Sequence, residues 1–259
     1  MIKQSFTASA SVVSLHGSDS PDLLSWFAQR QAAHRFHLRQ IPFKELEKWH
    51  FSDKTGNLVH DSGKFFSIEG IHVRSNWGHV SEWDQPVINQ PEIGFLGFIT
   101  RRIEGLLYFL VQAKMEPGNI NMIQLSPTLQ ATRSNFTCVH QGRKPRYLEY
   151  FIDRNKSRVI VDSLQSEQGG RFLGKRNRNI IVEVDEDIPV YPDYCWMSLG
   201  QLLAGLRHDN LINMDSRTVI SCIPYTAHCD TGANPDSLCS SFQEGSYSLH
   251  SNEEILSWF

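Results

Sequence analysis

Short apolar runs of strand length recur along the middle of the chain. The longest lies within Leu106–Ala113, and Ile93–Ile99 precedes it. Such runs predict buried strands, and Thr100–Gly105 between them predicts the turn of a hairpin. Further strands are predicted at Phe65–Val73, Arg158–Asp162 and Ile180–Val184.

Helical patterns are fewer and shorter. Phe43, Leu46 and Trp49 stand at three-residue steps and predict a helix over Pro42–Trp49; a second is predicted over Ser198–Leu206. Ser20 is a good N-cap for a helix through Ala33. Many strands with a few short helices predict an α+β domain rather than a doubly wound parallel sheet.

One short string occurs twice. Leu23–Phe27 recurs as Ile255–Phe259, with the N-cap candidate Asn252 before the second copy as Ser20 stands before the first. A five-residue match can arise by coincidence. We favour a different interpretation, in which the chain is the first unit of a tandem repeat, cut where the second unit starts.

The serine- and glycine-containing stretch before the second copy has the composition of a linker. The predicted organisation is therefore an N-terminal extension over 1–19, a folded unit over 20–225, a linker over 226–251 and the start of a second unit over 252–259.

Composition narrows the classes of function. Lys and Arg number 25 against 28 Asp and Glu, so the net charge of −3 gives no general attraction to nucleic acid or anionic membranes. No apolar run approaches the ~20 residues of a membrane span. The first residues do not resemble a secretory signal, and five cysteines without a C-x-x-C motif favour free thiols. We expect a cytoplasmic protein.

Lys114 and Glu116 end the most apolar predicted strand. Residues two apart on a strand point to the same side, so these two ionisable groups are expected to be neighbours. In a cleft they would form an acid/base pair. On a solvated edge they would form an ion pair of little energetic value, and composition alone slightly favours this second interpretation.

The segment Thr132-Arg133-Ser134-Asn135 combines two hydroxyls, a guanidinium and an amide. A guanidinium binds phosphate oxygens in a bidentate manner, and the other groups suit a phosphorylated or polyhydroxylated ligand. A simple polar turn explains the same residues equally well.

The basic segment Lys175–Asn179 holds three cations within four residues. It is able to bind a diphosphate or an RNA backbone, but we favour a solvated turn before the strand at Ile180. Trp49 and Trp77 have polar neighbours and are candidates for stacking on a base, although packing is the commoner role of tryptophan.

These strings, taken together, resemble the NDP-hexose 2,3-dehydratase family of deoxysugar biosynthesis. The resemblance extends from Leu23 to about Pro224. It rests on Trp49-His50-Phe51, His60–Phe66, Gln90–Gly94, Gln112–Asn119, Gln124–Phe136, Tyr147–Phe151, Leu164–Gly169 and Lys175–Asn179. The family's chains are tandem repeats of two Nudix-like units, so the resemblance implies a Nudix-like mixed sheet flanked by short helices.

The resemblance also implies a substrate of the dTDP-4-keto-6-deoxyglucose type. Water is removed across C2 and C3, with no metal or redox cofactor, and a 3,4-diketo sugar forms. Because that product is labile, an NADPH-dependent 3-ketoreductase is the expected next partner. The chain has no Nudix box, so pyrophosphohydrolase activity is not expected.

Site residues are carried over from the matching strings. For binding, the resemblance implies Trp49 at the nucleotide end, together with Ser166 and the segment Thr132, Arg133, Ser134, Asn135 and Phe136. Arg133 is our choice for the diphosphate or the sugar. The resemblance does not assign the acid/base groups, for which we choose Lys114 and Glu116, with Tyr147 and Glu167 behind them.

The chain departs from the family in length, since it carries one unit where the family has two. Either one unit suffices, with a homodimer replacing the tandem pair, or this chain is a non-catalytic half that binds the nucleotide-sugar. The sequence leaves both open.

Overall fold

The strands form two sheets in the computed structural model, which describes residues 2–13, 23–132 and 144–224. The strands of the smaller sheet are β1 (Trp49–Phe51), β2 (Leu58–His60), β3 (Ser67–Arg74) and β4 (Glu82–Asn89). Those of the larger sheet are β5 (Gly94–Ile103), β6 (Leu106–Met115), β7 (Ile123–Ser126), β8 (Leu129–Ala131), β9 (Arg158–Ser166), β10 (Arg176–Val184) and β11 (Tyr194–Ser198).

The larger sheet is mixed. Its strand order is β11-β6-β5-β10-β9, with β7 beside β6 and β8 beside β5. Strands β5 and β10 run parallel, with Gly94 opposite Asn177, and the other pairings in this sheet are antiparallel. With few and short helices around it, this sheet confirms the predicted α+β class.

Each face of the larger sheet has its own apolar cluster, because alternate strand residues point to opposite sides. Leu96 and Phe98 of β5 belong to one cluster, and Phe95 and Ile99 to the other. The helices of the described chain are α1 (Ile2–Ala10), α2 (Leu23–Ala33), α3 (Leu148–Ile152), α4 (Leu199–Gly205) and α5 (Met214–Ser221).

Helices α1, α2, α4 and α5 contribute to the cluster of Leu96 and Phe98, and α3 contributes to the other. Phe6 of α1 is fully buried there, so the helical part of the predicted N-terminal extension, Ile2–Ala10, packs on the sheet. Helix α4 begins one residue after the predicted start, and Ser198 is its N-cap: the Ser198 hydroxyl accepts from the Gln201 backbone N–H at 3.0 Å, and the Gln201 side chain accepts from the Ser198 N–H.

The smaller sheet is joined to the larger one through the loop that leads into β10. The Ile88 N–H donates to the Arg171 carbonyl at 2.8 Å, and the Leu173 N–H donates to the Ile88 carbonyl at 2.9 Å. The Gln85 side chain adds a bond to the Gly170 carbonyl at 3.0 Å. These bonds set the position of the residues immediately before β10.

The predicted helix over Pro42–Trp49 is wrong. Only Phe43–Glu45 form a single 3-10 turn, and Trp49 begins β1. Lys48 has φ +65°, a left-handed conformation that ends any continuing right-handed helix. The three-residue spacing of aromatic and apolar residues therefore reflects a turn followed by a strand.

The solvated turn expected over Lys175–Asn179 is also wrong. Arg176 begins β10, and Arg178 is buried against Asp162, with the guanidinium Nε 2.7 Å from the carboxylate. A neighbouring carboxylate makes burial of this cation possible.

The hairpin turn is shorter than expected. Strand β5 runs through Ile103, and Glu104 and Gly105 make the turn with positive φ angles. The second copy of the repeated string, the linker over 226–251 and the N-cap candidate Ser20 all lie outside the described residues.

Candidate functional site

Polar side chains meet where β5 and β6 diverge. Strands β7 and β8 fill the gap between them, with Gln124 opposite Lys114 and Gln130 opposite Leu96. Helix α5 packs against β5, β7 and β10 beside this gap. The divergence therefore brings the ends of several strands to the start of one helix.

Two adjoining hollows open here. One, of about 220 Å³, is lined by residues that include Gln130, Thr132, Glu167, Lys175, Asn177 and Asp215. We call it the cleft. The other, of about 330 Å³, is lined by residues that include Glu116, Asn119, Asn213, Asp215 and Arg217. Asp215 borders both hollows.

Lys114 and Glu116 are neighbours, as their spacing predicted. The Lys114 ammonium lies 3.0 Å from a Glu116 carboxylate oxygen, and the two side chains are 28% and 32% exposed. Their exposure lies between that of a surface pair and that of a core pair. The structure thus places the pair at the edge of a hollow rather than on an open edge strand.

Gln130 connects this ion pair to helix α5. Its Oε1 accepts from the Lys114 ammonium at 2.9 Å and from the Asn213 side chain at 3.4 Å. Its Nε2 donates to Asp215 and, at 3.5 Å, to Glu116. One amide thereby links a cation on its carbonyl side with two carboxylates on its amino side.

Asp215 stands in the first turn of α5. Burial raises the pKa of its carboxyl above the usual range, and the charges of Glu116 and Glu167 raise it further. The Gln130 hydrogen bond and the Lys114 charge act in the opposite direction but do not reverse the shift. The site therefore holds one carboxyl that retains its proton to a higher pH than an exposed aspartate.

Glu167 and Lys175 face the cleft from the turn before β10. A Glu167 carboxylate oxygen accepts from the Asn177 side chain at 2.7 Å. Lys175 is 5% exposed, and its ammonium donates to the Glu92 carbonyl. Burial lowers the pKa of Lys175, although Glu92 and Glu167 oppose the effect.

Tyr147 is not brought to this site. It packs with Phe95 and Phe151 in the cluster on the face of the sheet opposite α5, and its hydroxyl donates to the Pro189 carbonyl at 2.6 Å. Burial raises its pKa to about 12. Tyr147 has φ +64°.

Trp49 lies in the smaller sheet. Its ring packs on Phe66 at 4.9 Å and against His60 at 5.2 Å between centroids. It is half-buried and takes no part in the cluster around Gln130.

The other predicted binding residues divide into three cases. Thr132 lines the cleft. Ser166 is exposed at the end of β9, next to Glu167. Arg133, Ser134, Asn135 and Phe136 lie outside the described residues.

Sequence reasoning missed Gln130, Lys175 as a single buried cation, and Asp215. Asp215 follows the N-cap Asn213, whose side chain accepts from the Ser216 N–H at 2.8 Å. An acidic residue near a helix start normally indicates favourable interaction with the helix dipole, so its sequence context does not single it out. Only the packing of α5 against the sheet shows that it faces Gln130.

Residues 2–13, 23–132 and 144–224 contain neither a membrane-spanning helix nor a metal-binding group of side chains. No helix there has both the length and the apolar content that crossing a membrane requires. His, Cys, Asp and Glu side chains of these ranges form no group of three or more that is placed to bind a metal ion.

Residues 20–223 match the family model described as NDP-hexose 2,3-dehydratase. The match covers more than half of the chain. The chain belongs to this family. The matched range contains all the residues given above for the two hollows. Helix α1 lies before this range.

Relatives in the NDP-hexose 2,3-dehydratase family are similar over about 200 residues. Proteins named dTDP-4-dehydro-6-deoxy-alpha-D-glucopyranose 2,3-dehydratase are 55% identical in Saccharopolyspora spinosa, over 77% of this chain and 41% of that protein, and 52% identical in Amycolatopsis orientalis, over 79% and 44%. A Streptomyces violaceoruber protein of the same name is 48% identical, over 80% and 47%. The chain spans less than half the length of these curated relatives.

Solved structures show a weaker likeness. An ADP compounds hydrolase superposes with a TM-score of 0.39 at 8% identity, over 61% of this chain and 84% of that one. A Nudix hydrolase from M. smegmatis superposes with a TM-score of 0.32 at 14% identity, over 60% and 97%.

Proposed function

We propose that this chain forms part of a dTDP-4-keto-6-deoxyglucose 2,3-dehydratase and that the cleft and the adjoining hollow together receive the hexose. The observation that carries the proposal is the 48–55% identity to three relatives that bear this activity in their names. The reaction needs a base, an acid and donors to an enolate oxygen, and no other group. The carboxyl, ammonium and amide side chains around the two hollows are of the types that serve as a base, an acid and hydrogen-bond donors.

The chemistry starts at the carbon next to the ketone. The C4 carbonyl acidifies the C3 proton, so a modest base is sufficient to remove it. Glu116 is our choice for this base, with Lys114 beside it to hold the carboxylate charge. The buried ammonium of Lys175 is a donor suited to the oxygen on which negative charge develops.

Nucleotide binding is assigned to residues that carry the family strings. We propose Trp49, Ser166 and the segment from Thr132 to Phe136, with Arg133 on the diphosphate. Remote binding of this kind supplies energy that orients the sugar over the acid/base groups.

The second candidate is a nucleotide-sugar-binding half without catalysis. The observation that favours it is length, since the chain spans 41–47% of its relatives. The first candidate, the dehydratase, includes three further proposals: a tandem-repeat organisation, a cytoplasmic location and a homodimer that replaces the second unit. It also includes transfer of the labile diketone to an NADPH-dependent 3-ketoreductase.

In the deciding experiment, the full chain is incubated with dTDP-4-keto-6-deoxyglucose, a 3-ketoreductase and NADPH, and the products are identified by mass spectrometry. A trapped 2-deoxy sugar supports the dehydratase. Absence of product together with dTDP binding in calorimetry supports the binding half. Absence of both product and binding refutes the two candidates.

A further inference from the structure

Asp215 has no role in the reaction as proposed above. It borders both hollows, and it approaches Gln130 from the start of α5 while the other acidic groups come from strand ends. Among the carboxyls of the site it is therefore the one presented by a helix.

The orientation of Gln130 fixes the surroundings of Asp215. Because Lys114 and Asn213 both donate to the amide oxygen, the amino group must point the other way, toward the carboxylates. Asp215 Oδ2 accepts from that amino group, which leaves the second carboxyl oxygen to carry a proton. Gln130 is thus a positioning residue for Asp215.

The charges around Asp215 separate its behaviour from that of Glu116. Glu116 has a direct ion-pair partner, the Lys114 ammonium at 3.0 Å. Asp215 has no such direct ion pair among the described residues, and Glu116 and Glu167 both repel its charge. Two carboxyls in one site with opposite surroundings provide a base and an acid.

We infer that Asp215 is a further catalytic residue, the acid that gives its proton to the C2 hydroxyl as this group leaves. The inference rests on the proposed dehydratase function. It assigns the proton-donor role to a carboxyl that borders the cleft, whereas Lys114 is engaged by Glu116 and Gln130.

The base and Asp215 act at different stages of the elimination. The base removes the C3 proton, and the electrons of that bond form the C3–C4 double bond of an enolate. The carbonyl then re-forms, the C2–C3 double bond forms, and the C2–O bond breaks while the Asp215 proton joins the departing oxygen to give water. As the enol becomes the 3-ketone, its hydroxyl proton returns to Asp215, and the base delivers its proton to C2.

The order of these events gives a test that separates acid from base. Removal of the C3 proton precedes loss of the hydroxyl, so in D2O the substrate can exchange its C3 hydrogen even when elimination fails. We would follow both events by mass spectrometry in the full chain, in Asp215→Asn and in Asp209→Asn. Asp209 is an exposed aspartate and serves as the matched control.

The expected result is that Asp215→Asn keeps C3 exchange within about threefold of the wild type and loses elimination by ~100-fold or more, as for loss of a general acid. Asp209→Asn should retain both rates. Elimination by Asp215→Asn within threefold of the wild type overturns the inference, and loss of exchange together with elimination overturns the acid role. A wild-type chain that neither exchanges nor eliminates overturns the proposed function itself.

A second measurement needs no variant, so it holds even if Asp215→Asn folds poorly. The groups that act on Asp215 are Lys114 of β6, Glu116 just after β6, Gln130 of β8 and Glu167 just after β9. The wild-type elimination rate should fall as the pH rises through the pKa of the acid, while C3 exchange does not fall. An elimination rate that rises with pH in step with exchange refutes the acid role.

Discussion

Replacing Gln130 by Leu should measurably destabilise the protein, because one amide satisfies four neighbours. The substitution keeps a side chain of similar size and removes the bonds to Lys114, Asn213, Glu116 and Asp215. Lys114 and Asp215, the two partners closest to the amide, then each lose a hydrogen bond while remaining partly buried.

The magnitude follows from the types of bond. The bond to the charged but partly exposed Lys114 contributes about 1.5 kcal/mol, the lower limit for a charged partner, and the bond to the partly buried, protonated Asp215 carboxyl about 1.5 kcal/mol, the upper limit for a neutral partner. The expected loss is therefore about 3 kcal/mol in the free energy of unfolding. For a protein of this size it corresponds to a melting temperature lower by roughly 6–12 °C.

Urea unfolding followed by far-UV circular dichroism at pH 7 measures this loss. The matched control is Gln165→Leu, since Gln165 is exposed on β9 and its amide bonds only to Ser163 among the contacts described. That change should stay within about 0.5 kcal/mol of the wild type. If Gln130→Leu unfolds at the same urea concentration as Gln165→Leu, the amide does not hold the site together.

Three further results are expected. Glu116→Gln should slow both C3 exchange and elimination by about 10²–10⁴-fold, because it removes the proposed base. Gly97→Ala should cost ~1–3 kcal/mol, since its Cβ would lie 2.3 Å from a Phe151 ring carbon and 2.9 Å from the Ile180 carbonyl oxygen. Asp215→Asn should raise the free energy of unfolding at pH 7. In the wild type, the raised pKa of Asp215 means that the folded state binds the proton more tightly than the unfolded state. The stabilisation by the protonated carboxyl is therefore complete below pH 3.8 and lost as the pH rises through the folded pKa, and the uncharged asparagine avoids this loss.

Each of these has its own control. Glu47→Gln changes an exposed glutamate outside the site and should leave the rates unchanged. Gly70→Ala adds a methyl group with no atom within 4 Å and should leave the melting temperature close to that of the wild type. For Asp215→Asn, a stability difference from the wild type that is the same at pH 3 and pH 7 contradicts the assigned cause.

The apolar runs predicted the hairpin of β5 and β6 because burial of a continuous apolar run outweighs the conformational preferences of its individual residues. Strands β5 and β6 are buried along most of their length, so continuous hydrophobicity marks them clearly. Strand β4 was missed because Pro86 lies within it, and proline argues against a strand in the middle of a sheet. Here β4 is the last strand of the smaller sheet, where a missing N–H is tolerated.

The site was predictable only where its parts are close in sequence. The spacing of Lys114 and Glu116 placed them together, because strand geometry is local. Asp215 approaches from about 100 residues further along, and Arg178 is buried only because Asp162 on a neighbouring strand accepts its charge. The first depends on the packing of α5 against the sheet and the second on strand pairing, and no local pattern encodes either.

The parallel pairing of β5 with β10 has a consequence for synthesis of the chain on the ribosome. Gly94 lies opposite Asn177, so the two partners are separated by 83 positions. At about 5–20 residues per second, β5 emerges roughly 4–17 s before the strand that covers its second edge. During that interval a long apolar edge is open to wrong partners, so cells that make this protein slowly or in quantity should need chaperones that bind nascent chains.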